Sequence, residues 1–115
     1  MHARVMIGQV KPEKLGETDG AIRTYQDAIV PVARQQKGFK GALLLTNPHT
    51  GKAISITLWE TESDMMESET NDYYQEQIAR IASVLAGPGT VDHYQISVQA
   101  GYSFSEKDFE SFAYQ

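Results

Sequence analysis

Phe39-Lys40-Gly41-Ala42-Leu43-Leu44-Leu45-Thr46-Asn47-Pro48-His49-Thr50-Gly51-Lys52-Ala53-Ile54-Ser55-Ile56-Thr57-Leu58-Trp59-Glu60 is the stretch that decides the fold. Its second arm alternates, with Ile54, Ile56 and Leu58 on one side and Ser55, Thr57 and Trp59 on the other, the period of a strand with two unlike faces. The first arm, residues 39–47, is a more continuous apolar run and reads as a largely buried strand. Between them Asn47-Pro48-His49-Thr50-Gly51 supplies the Pro and Gly that reverse a chain. The two arms form an antiparallel hairpin.

Upstream, residues 3–10 alternate in the same way, Val5 and Ile7 opposite Arg4, Met6 and Gly8, and read as a strand. Pro12 suits the first position of a helix. Ile22, Tyr25, Ile29, Val32 and Ala33 then fall on one stripe of a cylinder. The spacing predicts a helix within residues 12–36, stopped by Gly38. Pro31 lies inside it, without an N–H and crowding the carbonyl of Asp27, which predicts a kink.

Downstream, Thr61-Glu62-Ser63-Asp64 resembles a capping box with Asp in place of Glu. A break at Thr70-Asn71 restarts the helix, with one of the two as cap. Tyr74, Ile78, Ile81 and Leu85 share its face, and Gly87-Pro88-Gly89 ends it. Residues 90–99 predict a last strand, with Tyr94, Ile96 and Val98 opposite His93, Gln95 and Ser97. The order β-α-β-β-α-β is that of a ferredoxin-like α+β domain, a four-stranded antiparallel sheet with its helices on one face. Leu43 and Leu44 stand on opposite faces of the hairpin, and helices cover only one of them. The other face is expected to pack on a second copy, giving a homodimer through the sheet.

At 115 residues, 41% apolar and 22% charged, the chain fits a single globular domain. It has no cysteine, which excludes disulfides, thiolate metal sites and a Cys nucleophile. A net charge of −5 leaves no basic footprint for nucleic acid or an anionic membrane. No run approaches the ~18 apolar residues of a membrane span, and the N-terminus shows no signal-peptide pattern, so the cytoplasm is the expected compartment. No phosphate-loop or dinucleotide fingerprint is present.

The domain is expected over residues 1–100, with 101–115 as an extension. That extension carries Tyr102, Phe104, Phe109, Phe112 and Tyr114, five of the eleven aromatic side chains. Disordered segments are poor in aromatics, so it is expected to dock on its own domain or across the dimer.

Gly38-Phe39 after the first helix, Trp59-Glu60 closing the third strand and the helix behind it resemble the antibiotic biosynthesis monooxygenases, a family of dimeric α/β barrels. The likeness runs over residues 3–99. It implies a dimer with facing sheets and a small ligand held between sheet and helices. It also implies, for some members, oxidation of aromatic substrates or quinols by O₂ without metal or flavin. The haem-degrading branch uses an Asn on the first strand, a Trp on the third and a His on the second helix. Here only Trp59 fits, and Glu69 stands ten residues after it where the helical His is needed. Without an axial imidazole there, haem degradation is not expected.

The resemblance therefore points to a cofactor-independent monooxygenase acting on a small aromatic or quinol-type compound, with no cofactor and no metal. The alternative is a non-catalytic small-molecule-binding or stress-related dimer. His93 is the candidate base; a structural histidine is the other reading. Trp59, Ser55 and Thr57 share a strand face whose flat aromatic and small hydroxyls suit a pocket, or ordinary packing. Tyr73 and Tyr74 diverge by about 100° on their helix, so only one, taken as Tyr74, is expected at the pocket. The acids from Glu60 to Glu76 read as a solvated helical face.

Overall fold

The computed structural model describes residues 1–101. The predicted docking of the aromatic extension falls on residues 102–115 and lies outside them.

The hairpin forms as the alternation requires. Strand β2 (Phe39–Thr46) pairs antiparallel with β3 (Lys52–Trp59), Leu43 opposite Ile56 and Leu45 opposite Ile54, with a bulge between Phe39 and Gly41. Asn47 organises the turn: its Oδ1 accepts from the N–H groups of His49 (3.0 Å) and Thr50 (3.2 Å). Gly51, at φ +78°, takes the left-handed conformation open to glycine.

Strand β1 (His2–Gln9) pairs with β3 on one side and with β4 (Thr90–Gln95) on the other, giving the antiparallel order β2-β3-β1-β4. This is the ferredoxin-like α+β arrangement. The last strand is shorter than the expected 90–99; it ends at Gln95, after which the Ile96 N–H closes on the Met1 carbonyl at 2.9 Å, where β1 begins.

The first crossover differs from a single kinked helix. A 3₁₀ turn (Pro12–Glu17) leads into α1 (Thr18–Thr24), then a π-helical turn (Tyr25–Ile29), then α2 (Val30–Ala33). Val30 donates to the Tyr25 carbonyl, five residues back. Pro31 follows directly. The wider turn carries the chain past a residue that has no N–H to give, which a tight α-turn does only by bending.

The second crossover is capped as its sequence indicated. The Thr61 hydroxyl accepts from the Asp64 N–H at 3.0 Å and opens α3 (Glu62–Thr70). Asn71 Oδ1 accepts from the Tyr73 N–H at 3.1 Å and opens α4 (Asp72–Ile81).

Cross-strand register sorts the sheet into two faces. Arg4, Met6, Ala42, Ser55, Thr57 and His93 stand on the helix side. Val5, Ile7, Leu43, Leu45, Ile54 and Ile56 stand on the other, where Leu45 on the β2 edge and Tyr94 on the β4 edge are about half exposed, at 48% and 53%. The sheet thus turns its greasier side away from its own helices. None of the helices among the described residues is long and apolar enough to cross a membrane.

Candidate functional site

A cavity of about 50 Å³ lies between the sheet and the helices. Its floor is Arg4 and Met6 of β1, Ala42 of β2 and Ser55 and Thr57 of β3. One wall is Tyr25 and Ile29 of the π-turn with Val30 and Ala33 of α2. The opposite wall is Tyr73, Tyr74, Gln77 and Ile78 of α4. The lining is mostly apolar and aromatic, the usual make-up of a small-molecule site.

Arg4 is the group that composition and periodicity did not single out. It is 5% exposed. Its Nη1 donates to Ser68 Oγ at 2.8 Å and to the Met65 carbonyl at 3.3 Å, and faces Glu69 Oε2 at 3.6 Å. The guanidinium lies 5.1 Å from the Trp59 ring centroid and 4.8 Å from that of Tyr74, so two aromatic faces share its charge. Withdrawing such a cation from water costs several kcal/mol, which these partners offset. The signal in the sequence was a lone charge at an inward position of an alternating strand.

Glu69, near the end of α3, has two side-chain partners. The same Oε2 that faces Arg4 lies 2.8 Å from His93 Nε2 on β4. Elsewhere on the floor, the Tyr25 hydroxyl and Ser55 Oγ meet at 2.8 Å, and Trp59 Nε1 donates to Thr57 Oγ1 at 3.0 Å.

Two buried polar atoms have no partner among the described residues: the Tyr74 hydroxyl and Gln77 Oε1. Gln77 is 6% exposed. Native interiors tolerate few such atoms, each costing about 1–3 kcal/mol, so these two stand out on a cavity wall. Burial raises the Tyr25 hydroxyl above its ordinary pKa of 10.0, the Ser55 hydrogen bond opposing it. Burial likewise raises Tyr73 and Tyr74, with the Arg4 charge pulling the other way.

The residues singled out from the sequence are only partly gathered here. Ser55, Thr57 and Tyr74 line the cavity. Trp59 is fully buried and backs Arg4, its ring edge-to-face with Phe39 at 5.8 Å, without itself lining the space. His93 stands outside the lining, its side chain 34% exposed and turned to Glu69. Tyr73 and Tyr74 both line the cavity. The 100° between them does not separate them, because the space curves around the first turn of α4.

At about 50 Å³ the space is a few waters in size, against ~150 Å³ for a protein cavity that accepts benzene. A ring therefore enters only as the wall moves.

No family model matches the sequence, and no curated protein does. Solved structures do. A candidate antibiotic biosynthesis monooxygenase from Bordetella bronchiseptica superposes with a TM-score of 0.68 at 17% identity, over 84% of this chain and 97% of its own. Rv0793 from Mycobacterium tuberculosis gives 0.66 at 17% identity, over 87% and 98%. A further antibiotic biosynthesis monooxygenase gives 0.65 at 17% identity, over 85% and 100%. The resemblance read from the hairpin and Trp59-Glu60 thus holds in three dimensions: the chain has the fold of the antibiotic biosynthesis monooxygenases.

Proposed function

We propose that this chain binds a small aromatic or quinol-type compound in the cavity between sheet and helices and oxidises it with O₂, without a cofactor. The observation that carries the reading is the aromatic-walled cavity floored by Ser55 and Thr57 and bordered by Tyr74, in a fold whose solved neighbours include proteins named as monooxygenases. An electron-rich ring, once ionised, can itself reduce O₂. A phenol and O₂ then give a quinone and water, one oxygen atom staying on the ring and the other leaving with two hydrogens. The protein's part is to orient the ring, favour its ionised form and keep bulk water out.

His93 does not line the cavity, so in this reading it takes the proton through Glu69 towards solvent rather than touching the ring. Two copies pair through the apolar sheet face carrying Val5, Leu43 and Ile56, which the helices leave uncovered, and the dimer works in the cytoplasm.

Oxygen uptake with a panel of phenols and hydroquinones tests the activity. Uptake that falls in His93→Ala supports it; no uptake with any member ends it. The second reading, a non-catalytic binding dimer, is favoured by one feature: among the described residues the cavity lining holds no imidazole and no carboxylate. Ligand binding without oxygen uptake selects that reading.

A further inference from the structure

We propose that Arg4, Tyr74 and Gln77 form a subsite for a singly ionised dihydroxy-aromatic ring, one ring oxygen carrying the charge and the second still a hydroxyl. The proposal rests on the cavity being a ligand site, as in the reading above, but not on any oxidation taking place there.

The three residues supply complementary halves of one recognition pattern. Arg4 holds a buried positive charge; its Nη1 donates to Ser68 and the Met65 carbonyl, and the Tyr73 hydroxyl is a further hydrogen-bonding neighbour. The Glu69 carboxylate stands 3.6 Å from Arg4 Nη1 and is shared with His93. The Tyr74 hydroxyl, whose ring lies under the guanidinium, is buried without a partner among the described residues and can donate. Gln77 stands one turn further along α4, on the same face, and its buried Oε1 has no donor among the described residues. A ring oxygen that has lost its proton accepts from Tyr74 and neutralises Arg4. A second, un-ionised hydroxyl donates to Gln77 Oε1. The proton released goes to the solvent.

Other anions fit less well. A carboxylate brings a second acceptor oxygen against Gln77 Oε1, with no proton between them. A multiply charged phosphate meets one cation, with Glu69 beside it and the acids Glu62, Asp64 and Glu67 on the same helix. A neutral ring brings no negative charge to Arg4.

Titration of the full chain with 4-nitrocatechol, at a pH where the free probe is neutral, tests this directly. The monoanion of the probe has its own visible absorption band, and that band is expected to appear on binding. Tyr74→Phe and Gln77→Leu are each expected to weaken binding by about ten- to a hundredfold, with melting temperatures unchanged or raised, since each removes an unpartnered buried atom. Arg4→Met is expected to abolish the band; because Arg4 also braces α3, the other two variants carry the test if this one does not fold.

Binding of the neutral probe overturns the proposal, as do unchanged affinities in Tyr74→Phe and Gln77→Leu. Displacement by benzoate at equal concentration also overturns it, by showing a general anion site. No binding at millimolar probe removes this proposal and the ligand site beneath it. Ionised binding with no oxygen uptake by any phenol leaves the subsite standing and removes only the oxygenase.

Discussion

His93 Nε2 and Glu69 Oε2 lie 2.8 Å apart, joining the edge strand β4 to the end of α3. The same carboxylate oxygen faces buried Arg4 at 3.6 Å, so one acid answers to a half-wet imidazole and a dry guanidinium. The two sides of this arrangement differ in weight. His93→Ala removes a partly exposed partner and is expected to cost no more than about 1 kcal/mol in urea unfolding. Glu69→Gln takes away the carboxylate that faces a buried cation and is expected to cost about 1–3 kcal/mol. Equal losses in the two variants would contradict this ordering.

Alkaline pH should loosen the fold. Burial raises the hydroxyls of Tyr25, Tyr73 and Tyr74 above their ordinary 10.0. Between the unfolded and folded values the unfolded chain holds fewer protons on these groups, so stability falls as pH rises. The stabilisation is complete below pH 10 and is lost from there upward. Urea midpoints measured from pH 8 to 11 check this, and Tyr25→Phe should flatten the fall. A midpoint that climbs above pH 10 would show the sign to be wrong.

Gly38 sits at φ +79°, packed against the Asp64 side chain, while its carbonyl accepts from the Glu60 N–H at 2.7 Å. Gly38→Ala puts a Cβ into the Asp64 carboxylate and strains the backbone as well. The expected loss is at least about 1–2 kcal/mol by thermal or chemical denaturation. Gly16→Ala, where nothing stands within 4 Å of the added carbon, is the matched control and should be nearly silent.

The uncovered sheet face predicts concentration-dependent behaviour. Ile56→Asp places a charge among Val5, Leu43 and Leu58, and in sedimentation velocity it should shift the protein to a monomer while the unsubstituted chain runs as a dimer. A monomeric unsubstituted chain at micromolar concentration would remove the dimer from the proposal.

The frame of the fold was legible because its signals are local. The alternation of Ile54 to Trp59, the Asn47 turn and the Thr61 and Asn71 caps each rest on side chains a few residues apart, and each appears where its chemistry places it. The cavity was less legible, because it is made where elements meet. Arg4 looked like the polar side of a strand until Trp59 and Tyr74 closed over it. Gln77 is a polar residue on the apolar side of α4, one turn from Tyr74, and its type alone does not mark a site, yet it is buried there. Pro31 announced a missing donor, but its type alone did not choose between a bend and a wider turn.

That wider turn has a kinetic meaning. Tyr25 and Ile29 belong to a stretch of cavity wall with an i→i+5 bond next to a residue that donates none, while the floor opposite is a four-stranded hydrogen-bonded sheet. When a ring displaces the boundary of so small a chamber, the helix yields before the sheet does. Association should then be slower than diffusion and steeply temperature-dependent, its tempo set by the breathing of a single helical turn.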